Sequence, residues 1–313
     1  MKGIEISRAY YETYGAPMIH EQFAEYENMI AAGLTGSGSE CYGFDDEVSR
    51  DHDFEPGFCL FIPGEERMDR RTAFLLERAY ARLPAEFEGL RRLKISPVGG
   101  ARHGVFRIDE YLREKIGCLP EELTNERWLR LPDWALAETV NGDIFRDDAG
   151  IMTKARETLK AMPEDVRRKR LAGHLLLMGQ SGQYNYRRCL KHGETGAAQL
   201  AVGEYVKNTL KAVFLLNRAY MPYYKWSFRA LQTLPGGEDL GRSLEWLLST
   251  DNGEAMAEDK YFCMEGIAGD VIDRLQEQGI TEATCGDLEK HAYSVNDGIR
   301  DSAVRNLHIL AAV

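Results

Sequence analysis

The chain has 313 residues, enough to bury a large core in one or two domains. Hydrophobic residues at 44 % and charged residues at 28 % fit a globular protein and exclude a fibrous or disordered one. A net charge of −11 disfavours a nucleic-acid partner, which needs a basic footprint, yet leaves room for a nucleotide carried with a cation. No apolar run approaches the roughly 18 residues that span a bilayer, so no membrane partner is expected, and residues 1–8 hold no signal-peptide core. The six cysteines are scattered without a CxxC or Cys/His cluster, which points to reduced thiols and a cytoplasmic location rather than zinc or disulfides.

In chain order, residues 4–15 and 18–31 read as two helices, the first with an apolar stripe of Ile4, Ala9, Tyr10 and Tyr14. Met29–Leu34 reads as a short buried strand that runs into a Gly/Ser turn, after which Glu40–Phe44 can start a helix. Arg50–Phe54 and Phe58–Ile62 are strand-like and separated by Pro56-Gly57. Arg70–Arg82 predicts a helix with Phe74, Leu75, Ala79 and Leu83 inward, stopped by Pro84. Leu93–Val98 and Gly104–Ile108 suggest a strand pair, and Asp109 is placed as the cap of a helix over Glu110–Ile116 that ends at Gly117. Beyond Asn125 strand signals nearly vanish. After the Asn141-Gly142-Asp143 turn come helical patterns over 153–161, 165–191, 195–220, 224–234, 240–249, 252–278 and 287–313. The expected architecture is α+β: a small mixed sheet with flanking helices over residues 1–127, and an all-α bundle over 128–313.

Two features carry chemistry. The first is Gly36-Ser37-Gly38-Ser39 directly after the predicted strand, where the lack of a Cβ lets a ligand approach the backbone and exposed N–H groups suit phosphate. The second is Asp51-His52-Asp53. On a strand, residues i and i+2 share a face, so the two carboxylates project together and call for a hard cation such as Mg²⁺. Each alone is compatible with a plain loop or a solvated strand face; the two in this order point to phosphoryl or nucleotidyl transfer. His52 faces the other side of that strand and reads as packing, and Arg50 can neutralise the aspartates.

With these elements placed, the head resembles the nucleotidyltransferase superfamily of the polymerase-β type. Gly38-Ser39 sits on a turn after a strand, eleven residues follow, and Asp51-x-Asp53 comes next, while Gly43 falls where small members carry a second glycine. GSGSECYGFDDEVSRDHDF, SGQYNYRRCLKHGE and FLLNRAYMPYYKWSFRAL also resemble a bacterial family known as a domain of unknown function, DUF4037. The resemblance implies that the backbone at Gly38-Ser39 holds an NTP, that Asp51 and Asp53 bind Mg²⁺, and that an acceptor hydroxyl attacks the α-phosphate. Small relatives of this kind are often dimers, so a homodimer is an open expectation.

The sequence departs from that pattern in one respect. Active members carry a third carboxylate on a neighbouring strand, and His103–Ile108 has none. Glu204, flanked by apolar residues in a predicted helix, is either a surface residue or a partly buried general base. Arg188 is either a helix-end cation or a phosphate contact, and Tyr224 and Lys225 beside Pro222 either fill a core or meet a base and a phosphate. His174 in a Leu-rich helix reads as a satisfied core histidine. The leading expectation is a Mg²⁺-dependent nucleotidyltransferase moving a nucleoside monophosphate from NTP to a hydroxyl of a small polar acceptor or a macromolecule. The alternatives are a nucleotide-binding or antitoxin-like regulatory protein, and a helical interaction module with a vestigial head.

Overall fold

A computed structural model of the chain describes residues 1–48, 55–92 and 102–313. The fold is α+β and divides into two compact units, residues 1–122 with 135–161 and residues 123–134 with 162–313. The sequence expectation assigned 128–161 to the helices, whereas the chain returns to the first unit for residues 135–161.

The first unit begins with α1 (Gly3–Tyr10), a π-turn over Tyr11–Gly15 and α2 (Ala16–Gln22), which form one continuous run; a 3₁₀ stretch over Ala24–Met29 ends the helical segment expected to reach residue 31. The sheet then starts with β1 (Ala31–Leu34), followed by the short helix α3 (Ser39–Tyr42) and β2 (Cys59–Ile62). Every residue of β1 and β2 is buried, as expected of central strands covered on both faces. After α4 (Arg70–Ala81) come a two-residue hairpin, β3 (Glu86–Phe87) and β4 (Leu90–Arg91), then β5 (Gly104–Arg107) and α5 (Ile108–Ile116). Next in the chain, α6 (Asn125–Arg130) belongs to the second unit. The first unit then resumes with most of α7 (Asp133–Val140), β6 (Asp143–Arg146) and α8 (Ile151–Lys160).

The four-stranded sheet has the order β5-β2-β1-β6. β1 is antiparallel to β2, with Gly33 opposite Cys59, and to β6, with Leu34 opposite Asp143; β5 is parallel to β2, with Cys59 opposite Gly104. Against it lies a core of Tyr10, Ile19, Ile30, Phe58, Leu60 and Leu76. β6 was not expected: Asp-Ile-Phe-Arg is four residues long and only partly buried, an edge strand that needs no apolar run.

Two local readings are corrected. In α4 the inward stripe is Ala73, Leu76, Ala79 and Tyr80, one step round from the expected one, and Phe74 and Leu75 are 54 % and 48 % exposed. The i, i+3, i+7 spacing from Ala73 places Tyr80 so that its hydroxyl donates to Phe58 O at 2.8 Å, which fixes the rotation of the helix. Asp109 does not cap α5. The N-cap is Arg107, whose guanidinium donates to Pro63 O and Met68 O at 2.9 and 3.0 Å, and Asp109 lies in the first turn, favoured there by the helix dipole.

The second unit is helical: α9 (Glu164–Met178), a π-turn over Gly179–Asn185, α10 (Tyr186–Lys191), α11 (Thr195–Leu216), α12 (Tyr224–Gln232), α13 (Gly237–Ser249), α14 (Glu254–Glu277), α15 (Leu288–Asp297) and α16 (Ser302–Arg305). Its interior holds two lysines with no exposed surface. Lys169 Nζ donates to Asn296 Oδ1 and to the carbonyls of Arg305 and Leu307 at 2.6–3.2 Å, and Lys260 Nζ to Gln199 Oε1, Thr250 O and Asn252 Oδ1 at 2.8–3.0 Å. No helix of the described residues is long and apolar enough to cross a membrane.

Candidate functional site

The turn after β1 is where local structure and chemistry meet. Thr35 Oγ1 donates to Glu138 O at 2.6 Å and lies 3.0 Å from Asn141 Oδ1. Asn141 grips the next residue twice: its Oδ1 accepts from Gly36 N at 3.0 Å and its Nδ2 donates to Gly36 O at 2.7 Å. Gly142 N donates to Cys41 O at 2.8 Å. Gly142 itself has φ +64°, and a Cβ there would sit 1.9 Å from Leu34 O, so only glycine lets this strand of chain pass so close. The C-terminal end of α7 thereby clamps both sides of the Gly/Ser turn.

Gly38 is the N-cap of α3 in an extended conformation, and Ser39 is its first residue and buried. Gly43 closes the helix in the left-handed region at φ +70°, and Phe44 N donates to Ser39 O at 2.9 Å. Gly38, Ser39 and Gly43 are therefore brought into one short turn–helix–turn unit. The space beside Gly38 is taken by an ion pair. Arg102 Nη2 donates to Glu40 Oε1 at 2.6 Å, and a Cβ on Gly38 would lie 2.0 Å from the first atom and 2.1 Å from the second. Glu40 is buried and Arg102 partly exposed. Alongside, His103 Nδ1 lies 3.2 Å from Glu55 Oε1, and His103 packs against Gly57. Lys115 Nζ donates to Glu138 Oε2 at 3.0 Å.

Buried thiols flank this turn, and they are not nucleophiles. Burial pushes the Cys59 thiol up to about 12 and raises Cys41 well above its ordinary value, so both stay protonated at neutral pH. Burial likewise raises the Tyr111 and Tyr42 phenols, whose hydroxyl oxygens are sealed from solvent without a hydrogen-bond partner among the described residues.

Asp51 and Asp53, with Arg50 and His52, lie outside the described residues, as does the Leu93–Val98 segment. Among the described residues no group of three or more His, Cys, Asp and Glu is placed to hold a metal ion. The remaining expected site residues belong to the second unit. Glu204 is half exposed, with Lys207 Nζ 3.3 Å from its Oε1, rather than sunk in an apolar edge. Arg188 is exposed, its guanidinium 5.7 Å from the Tyr184 ring. Tyr224 is 72 % exposed and lies against Tyr223 at 4.4 Å, and Lys225 Nζ stands 4.8 Å from the Trp226 ring, so these two share the exposed start of α12 rather than a core. His174 is the core histidine expected: it is buried with Nδ1 2.9 Å from Asn208 Oδ1, and burial lowers it to about 3.

Arg102, Glu40, Thr35 and Asn141 were not singled out from the sequence. The Asn141-Gly142 dipeptide was visible as a turn signal, but its partner turn lies 105 positions earlier at Gly36. No curated protein matches the chain significantly. Residues 128–227 match the model of a family described as a domain of unknown function, DUF4037.

Proposed function

We propose that the chain is a nucleotidyltransferase that moves a nucleoside monophosphate from an NTP to the hydroxyl of a small polar acceptor. The observation that carries this reading is the meeting of the Gly/Ser turn and the start of β2 at one end of the sheet. Because Gly33 pairs with Cys59, the turn that follows β1 and residues 55–58 lie at the same end of the sheet. In sequence, Asp53 is two residues and Asp51 four residues upstream of Glu55. Hard carboxylate oxygens suit Mg²⁺, and Asp51 and Asp53 are the pair that would hold it; the ion would neutralise charge on the leaving group.

The chain's own residues then do the rest. Asn141 holds the turn at Gly36, where a Cβ would meet no atom within 4 Å, so the backbone there would need little ordering when the nucleotide binds. Arg102, paired with Glu40 beside Gly38, is placed to transfer its fork to a phosphate oxygen. The acceptor oxygen forms a bond to the α-phosphorus, its proton leaves to a base, and the bond to the bridging oxygen of pyrophosphate breaks. Incubation with labelled NTPs, Mg²⁺ and a panel of hydroxyl acceptors tests the reading. Transfer that survives Asp51→Ala and Asp53→Ala sinks it. Transfer unchanged in Glu204→Gln removes Glu204 from the role of base.

A second reading, a nucleotide-binding regulatory protein without turnover, is favoured by one observation. Three described carboxylates by the turn, Glu40, Glu55 and Glu138, already face Arg102, His103 and Lys115. Calorimetric binding of NTP with Mg²⁺ and no product with any acceptor supports it over the first.

A further inference from the structure

The second unit contains an open cleft that none of the expected site residues enters. It holds about 500 Å³, and its walls carry Glu164, Arg167, Arg168, Arg218 and Gln278. That size suits a small ligand. Three guanidinium groups converge there on a single carboxylate. Arg167 is the buried floor: its Nε and Nη2 donate to Glu164 at 2.9 and 2.7 Å, and its Nη1 lies 3.3 Å from both Leu215 O and Gln278 Oε1. Gln278 is itself anchored through Nε2 to Leu216 O at 3.0 Å.

The other two arginines are built differently. Arg168 donates only Nε, to Glu164 Oε1 at 3.2 Å, although its side chain is only 18 % exposed. Arg218 donates only Nη2, to Glu164 Oε2 at 3.0 Å. Arg218 is 63 % exposed, and Arg168 Nη1 lies against Gly298, where a Cβ would stand 2.4 Å from it, which leaves Arg168 Nη2 for the cleft. Arg218 also adopts φ +52° just past the end of α11, a position that helices usually give to glycine. A guanidinium thus stands where glycine would relieve the backbone.

We propose that this cleft binds a phosphate-class dianion, gripped by Arg168 and Arg218, with Glu164 as the internal rival that holds the two forks in place until the ligand arrives. Three cations less one carboxylate leave a surplus of two positive charges, which matches a dianion better than a monoanion. The planar fork of arginine matches adjacent oxygens of a tetrahedral oxyanion. All the residues that line the site belong to the second unit.

Calorimetry of the full chain at low salt in a phosphate-free buffer tests this, with inorganic phosphate, a phosphate monoester of a small polyol, and acetate as probes. Phosphate or the monoester binds and acetate does not. A tighter monoester identifies an esterified metabolite as the natural ligand, and equal affinity identifies phosphate itself. Arg218→Gly suits the backbone and leaves the melting temperature close to wild type, while it weakens binding about tenfold, the share of one charge-assisted contact. The Arg168→Gln/Arg218→Gln double variant loses measurable binding. Glu164→Gln, which removes the rival charge and keeps the shape, tightens binding severalfold. Phosphate affinity unchanged in the double variant, acetate binding as well as phosphate, weaker binding in Glu164→Gln, or no binding of either phosphate probe by the wild-type chain overturns the proposal.

Discussion

The two units bury polar groups differently, although each buries a cation on backbone carbonyls, Arg156 in the first donating to Val140 O and Asn141 O. Around the Gly/Ser turn the first unit uses mostly neutral partners: a hydroxyl, an amide and backbone groups, with Asn141 bonding both polar atoms of Gly36. In the second unit whole cations are buried. Lys169 and Lys260 have no exposed surface and meet carbonyl and amide oxygens rather than carboxylates. A neutral clamp fixes the shape of one loop, at small electrostatic cost. A buried ammonium draws several chain segments onto one point and is costly to remove, because its acceptors are left dry and unpaired. The first arrangement shapes a binding surface and the second staples a scaffold.

The comparison can be tested by perturbing each side. The largest effect is expected from acid on the second unit. His174 titrates near 3 when folded and near 6.5 when unfolded, so the folded state holds it neutral. Its contribution is intact above pH 6.5 and declines as pH falls from there towards 3, reaching on the order of 4 kcal/mol. Urea titrations from pH 7 to pH 4 measure the slope, and His174→Gln flattens it; an unchanged slope in that variant refutes the assignment.

Next in size is Lys260→Met, which strands Thr250 O and takes one of two donors from Gln199 Oε1 and Asn252 Oδ1, and costs about 3 kcal/mol by denaturant midpoint. A loss below about 1 kcal/mol would mean that water replaces the ammonium and that the staple is ornamental. On the other side, Asn141→Ala removes both bonds to Gly36 and costs about 2 kcal/mol, and the same variant weakens NTP binding if the turn must be rigid to bind. The smallest effect belongs to Glu40→Gln. It weakens the pair with Arg102, costs about 1 kcal/mol, and raises NTP affinity if Glu40 competes with a phosphate for that guanidinium. Lower affinity in this variant would show that Glu40 orients Arg102 rather than competing for it.

Much of the sheet was legible because its central strands are short, wholly apolar and bounded by Gly and Pro, as at 58–62. The helices over 195–216, 224–232 and 254–277 were legible from periodicity and punctuation, with ends displaced where a non-glycine such as Arg218 takes the closing turn. β6 was not legible, since an edge strand of four residues carries no pattern that local reading can catch. At the candidate site, chemistry marked Gly38-Ser39 and Asp51-x-Asp53 as a pair. It did not mark the ion pair beside Gly38, because Glu40 and Arg102 stand 62 positions apart and their segments are joined through β2, which pairs with both β1 and β5. Phe74 and Leu75 were misplaced because two overlapping apolar stripes run along α4, and the winner is set by Tyr80 reaching Phe58, a long-range contact.

The return of the chain to the first unit at residue 135 bears on how the protein is made. β1 lies between β2 and a strand that leaves the ribosome more than a hundred residues after it. Until residues 143–146 arrive, a fully apolar strand has one open edge, an invitation to pair with a neighbour. A fragment cut at residue 127 would keep that edge permanently, and the clamp on Gly36 would be missing with it. The smallest stretch of chain that can finish this sheet therefore runs through β6, and nascent chains halted short of it should be the ones that aggregate.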